Sequence, residues 1–352
     1  MKTNKPLAAC HQTGFSLIEV LVGLVIGLLA TLVIMQVFSV FEGQKRTTTG
    51  VADAQTNGSI ALYTIARELQ MAGYGLLPVT DSAIKCVAPT IAAVATAAGV
   101  ASISPVTITD GGDAGASDSI TIRYADSPTA GTPVPITLVA GLAASIPNNL
   151  GCAIGNIALI LTGPTTCNVT TVTGLTDTTG VTLGDATGAI AGAQLACLGR
   201  WNEITYRITN NNLERNAPVA TPIVSEIVNI QAQYGISDAA NSNQVVQWVN
   251  AAGATWAAPT TPDRNRIKAV RIAVVARTGL IEKEGVTQTC NSLTANNPSG
   301  LCAWSGTSAS PLNASPAPAI NLTNLPNWQR YRYRVFETII PLRNVIWSRS
   351  TL

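Results

Sequence analysis

Residues able to do chemistry are few in this chain. The only histidine is His11, so residues 12–352 contain none. That removes Ser-His-Asp and Cys-His nucleophile systems and the H-E-x-x-H metalloprotease site. No G-x-S-x-G, P-loop or G-x-G-x-x-G occurs. Paired carboxylates depend on spatial neighbours and stay open at this level. One acidic cluster, DGGDAGASD, carries Asp110, Asp113 and Asp118. Its carboxylates suit calcium, but the alternating ligands and closing glutamate of an EF-hand loop are missing. Its Gly, Ala and Ser content reads as a turn leading into a strand. The expectation is a protein without catalysis, cofactor or metal.

Cysteine is the next reactive type. Seven are present: Cys10, Cys86, Cys152, Cys167, Cys197, Cys290 and Cys302. No CxxC occurs, so neither a zinc site nor a thioredoxin-type motif has support. An odd count is awkward for a disulfide framework. A cut after Gly14 would remove Cys10 and leave six, an even set suited to an oxidising compartment. Six cysteines allow 15 pairings. Cys290 with Cys302 is the best local pair, closing an Asn/Pro/Gly-rich loop.

One carboxylate sits where carboxylates are costly. Residues 20–41 are 22 positions without a charge, preceded by Glu19. As a helix they span ~33 Å, enough for a ~30 Å hydrocarbon core. A secretory signal would be shorter and followed by a small-residue cleavage site. Leu7-Ala8-Ala9-Cys10 looks like a lipidation box, yet only six residues precede it, with two lysines, a proline and no apolar region. The span is therefore read as retained, with processing before it. Lys2 and Lys5 place the N-terminus on the cytoplasmic side and the body outside the inner membrane. A carboxylate at mid-bilayer costs ~2.5–3.5 kcal/mol, less near the interface. A positive α-amino group exposed at Phe15 by cleavage, on the same or a neighbouring subunit, would offset it. Gly23 and Gly27 have the G-x-x-x-G spacing that lets helices approach closely.

Gly14 followed by Phe15, with Glu19 five residues into the chain that starts there and a continuous apolar stretch, resembles the type IV pilin superfamily. The resemblance implies a prepilin peptidase that cuts between Gly14 and Phe15 and N-methylates Phe15. It implies that Glu19 pairs with a neighbour's N-terminus during filament assembly. Unlike the major pilins, this span carries no proline.

The helical pattern continues beyond the span. Val51, Ala54, Gly58, Ala61 or Leu62, Ile65, Leu69 and Ala72 recur at spacings of three and four, one apolar face of an amphipathic helix. Gly73, Gly75 and Pro78 end it, so one helix is expected over about residues 16–72. Short β-rich runs follow. Candidate strands are 106–109, 119–124, 136–139, 157–162, 169–173, 203–209 and 213–215, with a hairpin turn at Asn210–Asn212. Residues 223–234 fit helix or strand. Residues 267–277 and 331–340 read as long strands. Residues 91–101 and 305–326 read as loops. The fold class is α+β: a long N-terminal helix packed on an antiparallel sheet. The expected layout is a leader at 1–14, a transmembrane and filament-core helix at 15–41, its amphipathic continuation at 42–75, and a periplasmic or surface head at 76–352.

Near the C-terminus, Arg330, Arg332 and Arg334 alternate with Tyr331 and Tyr333. Such a strip could bind nucleic acid. Removal of Lys2 and Lys5 leaves 19 basic residues against 19 acidic ones, and a neutral body argues against that use. The reading preferred is an amphipathic strand with paired or solvated arginines. Residues 331–347, the helix end ARELQMAGYG and the strand 267–277 resemble the PilW family of minor pilins. Residues 85–200 match nothing recognisable. The resemblance implies a minor pilin of an initiation or tip complex. Its partners would be prepilin peptidase, other minor and major pilins, a tip adhesin and the inner membrane, with no nucleic acid. The location would be the inner membrane and then the pilus of a Gram-negative cell. Rival readings are a type II secretion pseudopilin, a membrane-anchored periplasmic binding protein or enzyme, and a DNA-binding pilin.

Overall fold

The structure is a computed structural model that describes residues 14, 16–76, 88–112, 115–163, 166–290, 300–304 and 317–347. The chain divides into two compact units, Met1–Gly50 and Val51–Leu352. Helix α1 (Leu17–Met71) begins in the first and ends in the second.

In the first unit the helix is built from Leu, Val, Ile and Ala, with Glu19 in its opening turn. A carboxylate there complements the unpaired amides of a helix start. Thr31 turns its hydroxyl back onto the carbonyl of Leu28, which hides a polar group in the apolar stretch; Thr48 bonds the Gln44 carbonyl in the polar stretch that follows. The large apolar side chains from Leu17 to Phe41 are all exposed.

In the second unit α1 buries Ala54, Ala61, Ile65 and Leu69 along one face, and Ala72 just after it joins them. It ends where Gly73 adopts φ 78°, a left-handed stop that glycine makes without strain. The chain then runs as β1 (Ala88–Ile91), α2 (Ala93–Ala97), β2 (Val106–Thr109), β3 (Ser119–Ala125), β4 (Val134–Pro135), β5 (Leu138–Ala140) and β6 (Ala143–Ser145). It continues as β7 (Ile157–Leu161), β8 (Thr166–Thr176), β9 (Gly180–Leu183), β10 (Gln194–Gly199), β11 (Trp201–Thr209), β12 (Asn212–Asn216) and β13 (Ala220–Ser225). The last elements are β14 (Ile227–Ile236), β15 (Gln247–Asn250), α3 (Gly253–Trp256), α4 (Thr261–Arg264), β16 (Ile267–Arg277), β17 (Tyr333–Pro341) and α5 (Arg343–Trp347).

These strands form three sheets rather than the single one expected. A five-stranded sheet has the order β13-β12-β11-β3-β2, and a four-stranded sheet the order β15-β14-β16-β17. Both contribute to the core beneath α1. Ile120, Ile122, Ile204 and Leu213 come from the first, and Ile230, Tyr234, Val270, Ile272 and Val274 from the second. In β3 the intervening Thr121 and Arg123 point away, as the two-residue strand period requires. There they meet Thr205 and Glu203 of β11.

Most of the region between β3 and β11 forms an eight-stranded sheet, ordered β4-β10-β7-β8-β9-β6-β5 with β1 added on β8. Its strands β7 and β10 are apolar on both faces. Leu159 and Val169 face one cluster with Ala95 of α2, while Ala158, Ile160 and Leu195 face another with Ile136 and Ile146. β1 pairs with β8 in parallel; the other named pairs are antiparallel.

Several local expectations change. Residues 91–101 contain the end of β1 and helix α2, because Ile91 pairs with Val169 and alanine favours a helical turn. Of the expected strand 136–139 only residues 138–139 lie in a strand, β5, while β4 precedes it and the amide of Ile136 bonds the Ala193 carbonyl between them. Residues 223–234 resolve as two strands, β13 and β14, separated at Glu226 with φ 58°. Residues 305–316 lie outside the described residues.

Candidate functional site

At the N-terminal site, Gly14 is exposed and Glu19 lies in the first turn of α1, its amide bonded to the Ser16 carbonyl. Phe15 lies outside the described residues. Glu19 is exposed, and no ion pair involving it occurs among the described residues. Cβ atoms added to Gly23 and Gly27 would meet nothing, so the G-x-x-x-G surface is open. One helix thus presents a carboxylate and then a long apolar surface that is exposed among the described residues. Water is a poor solvent for that much hydrocarbon. Lipid or other apolar helices are the environments it suits. The helix is long and apolar enough to cross a membrane.

The second part of the site is the attachment of α1 to the head. Glu68 receives Arg215 Nη2 at 3.2 Å and the Tyr124 hydroxyl at 3.3 Å. Burial, and then the Glu68 charge, push the Tyr124 pKa up, so the phenol keeps its proton and donates. Asn344 Nδ2 of α5 donates to the Ala72 carbonyl at 3.0 Å, satisfying one of the helix's last carbonyls. Gly58 lies against the Phe336 ring of β17, and a Cβ there would overlap the ring.

Disulfides join Cys152 to Cys197 and Cys290 to Cys302. Cys167 is also disulfide-bonded. Cys10 and Cys86 lie outside the described residues. The first bond ties the loop before β7 to β10. The second closes a 12-residue separation ahead of Ala303, which is fully buried behind the four-stranded sheet. Beside it Trp304 stacks on the Arg271 guanidinium at 4.4 Å, and Trp248 lies over the same group at 5.2 Å.

The C-terminal arginines are largely committed to protein partners. Arg332 pairs with Glu282 at 2.8 Å, and Arg330 Nε donates to the Glu282 carbonyl. Tyr331 lies under Arg277, which pairs with Glu226 at 2.7 Å. Only Arg334 of the three is exposed with no ion pair among the described residues. This is the arrangement of a paired strand surface.

Asp118 is buried and accepts from the amides of Gly111 at 2.9 Å and Ala232 at 2.7 Å. Burial pushes its pKa up to about 7. Asp110 bonds the Gly112 amide at 2.6 Å, and Asp113 lies outside the described residues. The carboxylates of Asp110 and Asp118 thus hold backbone amides. Among the described residues no group of three or more His, Cys, Asp or Glu is placed to hold a metal. The joining role of Asp118 has no local sequence signal, because its β14 partner is more than a hundred residues away.

Residues 10–35 match the prokaryotic N-terminal methylation motif, and residues 202–344 match the family described as Type IV Pilus-assembly protein W. No curated protein matches the chain. Among solved structures, a type IV-like pilin from Thermus thermophilus aligns with 84% of this chain and 98% of its own, at 12% identity and a TM-score of 0.36.

Proposed function

We propose that this type IV pilin-like chain acts as a minor pilin in pilus assembly, joining an initiation or tip complex. Residues 1–14 are the leader, 15–41 the transmembrane and filament-core helix, 42–75 its continuation and 76–352 the head. Prepilin peptidase cuts between Gly14 and Phe15 and methylates Phe15. The chain waits in the inner membrane with its head in the periplasm, then passes into a filament with other pilins. Its work is structural.

The observation that carries this reading is the exposed apolar surface of α1 from Leu17 to Phe41, opened by Glu19. In a filament, neighbouring helices cover the apolar surface, and the amine of a neighbour's Phe15 neutralises Glu19. A buried pair of that kind is favoured only when both charges are present. The residues 10–35 methylation motif and the residues 202–344 match support the same assignment.

Mass spectrometry of the mature N-terminus is the test. N-methyl-Phe15 is the expected result, and retention of Met1 overturns the reading. Deletion of the chain should reduce surface pili and twitching. Loss of exoprotein secretion with intact pili would move it to a type II secretion pseudopilus.

A further inference from the structure

We propose that the outer edge of β17 is a docking site for an extended strand of a neighbouring subunit. The partner strand is one with an acidic residue beside Arg334 and a basic or neutral residue beside Glu337. This names a contact that the helix-based assembly reading does not supply, and it rests on that reading for the class of partner.

β17 closes the four-stranded sheet. Its pairing with β16 is regular over nine residues, without a bulge. Leu342 donates to the Lys268 carbonyl and Thr278 donates to the Arg332 carbonyl, so even-numbered residues turn their backbone groups inward. In an antiparallel ladder the alternate residues must then face outward. Val335, Glu337 and Ile339 therefore present amides and carbonyls along an edge that no strand among the described residues pairs with, and Pro341, which lacks an amide, ends the row.

Edges are normally blunted by shortness, proline, bulges or charged side chains, because an open row of backbone groups templates pairing; before Pro341, β17 has only the last of these, in Arg334 and Glu337. The other edges here follow that rule. β2, β15 and β1 have four residues each, β5 three and β4 two. β13 carries Pro222 and a register shift against β12. β17 alone among these edges is long and unbroken.

Charge points to a different chain rather than a second copy. Arg334 on one face and Glu337 on the other are exposed and form no ion pair among the described residues, although the Glu337 charge acts on Arg271 of β16 from the same face, which leaves Arg334 as the charge most open to a partner. Self-pairing centred on the strand would set Glu337 against Glu337. A two-residue shift would leave those carboxylates as diagonal neighbours, still unfavourable. An extended partner with an acidic residue beside Arg334 pairs the exposed guanidinium, and a basic or neutral residue beside Glu337 avoids the repulsion. Ile339, 53% exposed on the same face as Glu337, supplies apolar area to cover. Strand addition of this kind draws affinity from backbone bonds and selectivity from alternate side chains.

The test is residue-resolved amide exchange on the full chain, in detergent and inside assembled filaments. Amides of Val335, Glu337 and Ile339 should exchange about 100-fold more slowly in filaments, while those of Phe336, Thr338 and Ile340 are slow in both. Glu337→Pro deletes an outward amide without touching the β16 ladder and should cut incorporation at least ~10-fold with melting nearly unchanged. Should that variant misfold, Arg334→Glu serves instead and should lower incorporation by reversing the exposed docking charge. Filament chains whose outward amides exchange as in detergent, with Phe15 as the mature terminus, overturn the docking while leaving the assembly reading intact. Concentration-dependent protection of the purified chain overturns the heterologous partner in favour of a second copy. Retained Met1 with absence from filaments overturns the assembly reading, and with it the partner class named here.

Discussion

Gly58 of α1 and Phe336 of β17 occupy one space: the ring fills the volume that any Cβ on residue 58 would need. This close approach helps seat the helix on the four-stranded sheet. Gly58→Ala forces the ring out of a packed core, at a cost of about 1–3 kcal/mol. The expected result is a melting temperature several degrees lower. Phe336→Leu alone should also destabilise, but Gly58→Ala with Phe336→Leu should cost less than the two single changes added. Strict additivity in thermal melts would show that the two residues do not share the space.

Glu19 should separate processing from assembly. Glu19→Ala leaves the Gly14–Phe15 junction unchanged, so the mature terminus by mass spectrometry should stay the same. Incorporation into filaments should drop at least ~10-fold, because the neighbour's amine would be buried without a counter-charge. Glu19→Asp should recover part of it. Equal incorporation of wild type and Glu19→Ala would remove the pairing role.

The helix was legible because its signal is local. Val51, Ala54, Gly58, Ile65 and Leu69 repeat at helical spacing, and the helix does run Leu17–Met71. The long strands near 267–277 and 331–340 were legible for a similar reason, being long apolar or alternating runs. The region 85–200 was less so. Its sheet joins β1 to β8 across nearly eighty residues, and its strands are short. Thr in them favours strands, Ala favours helices and Gly favours neither, so their mixture gives no consistent signal. Tertiary pairing decides such segments, and pairing partners far apart in the chain leave no periodic trace. The same holds for Arg271, whose aromatic neighbours Trp248 and Trp304 come from distant segments.

The two described disulfides should differ in weight. Cys152 and Cys197 are 45 residues apart, whereas Cys290 and Cys302 are 12 apart. Chain entropy assigns about 4 kcal/mol to the longer loop and about 3 to the shorter. Cys152→Ser with Cys197→Ser should therefore lower the denaturant midpoint more than Cys290→Ser with Cys302→Ser. The second pair has a local signature, since it precedes Ala303 and Trp304. Its loss should raise tryptophan quenching by iodide, as the stack over Arg271 loosens. A larger midpoint loss from the 290–302 pair would show that holding this segment matters more than loop length.

Asp118 gives the head a stability that depends on pH. Its carboxyl has a folded-state pKa of about 7 against an ordinary 3.8, raised first by burial and opposed by the Gly111 and Ala232 amides. Asp110 is the nearby like charge and raises it further. Between those two values the folded protein holds a proton that the unfolded chain has released. Stability from this group is therefore fully present below pH 3.8 and is lost as pH rises to about 7. The slope is at most ~1.4 kcal/mol per pH unit for one proton. Asp118→Asn carries no titrating group, so its unfolding free energy should be flatter than wild type between pH 4 and 7. The amide keeps one oxygen for one backbone donor but turns its NH2 toward the other, so the variant should be less stable than wild type at pH 5. Denaturant titrations at pH 4, 5, 6 and 7 decide it. Parallel pH profiles for the two proteins would mean that Asp118 remains ionised in the fold, with its two backbone amides outweighing the cost of burial.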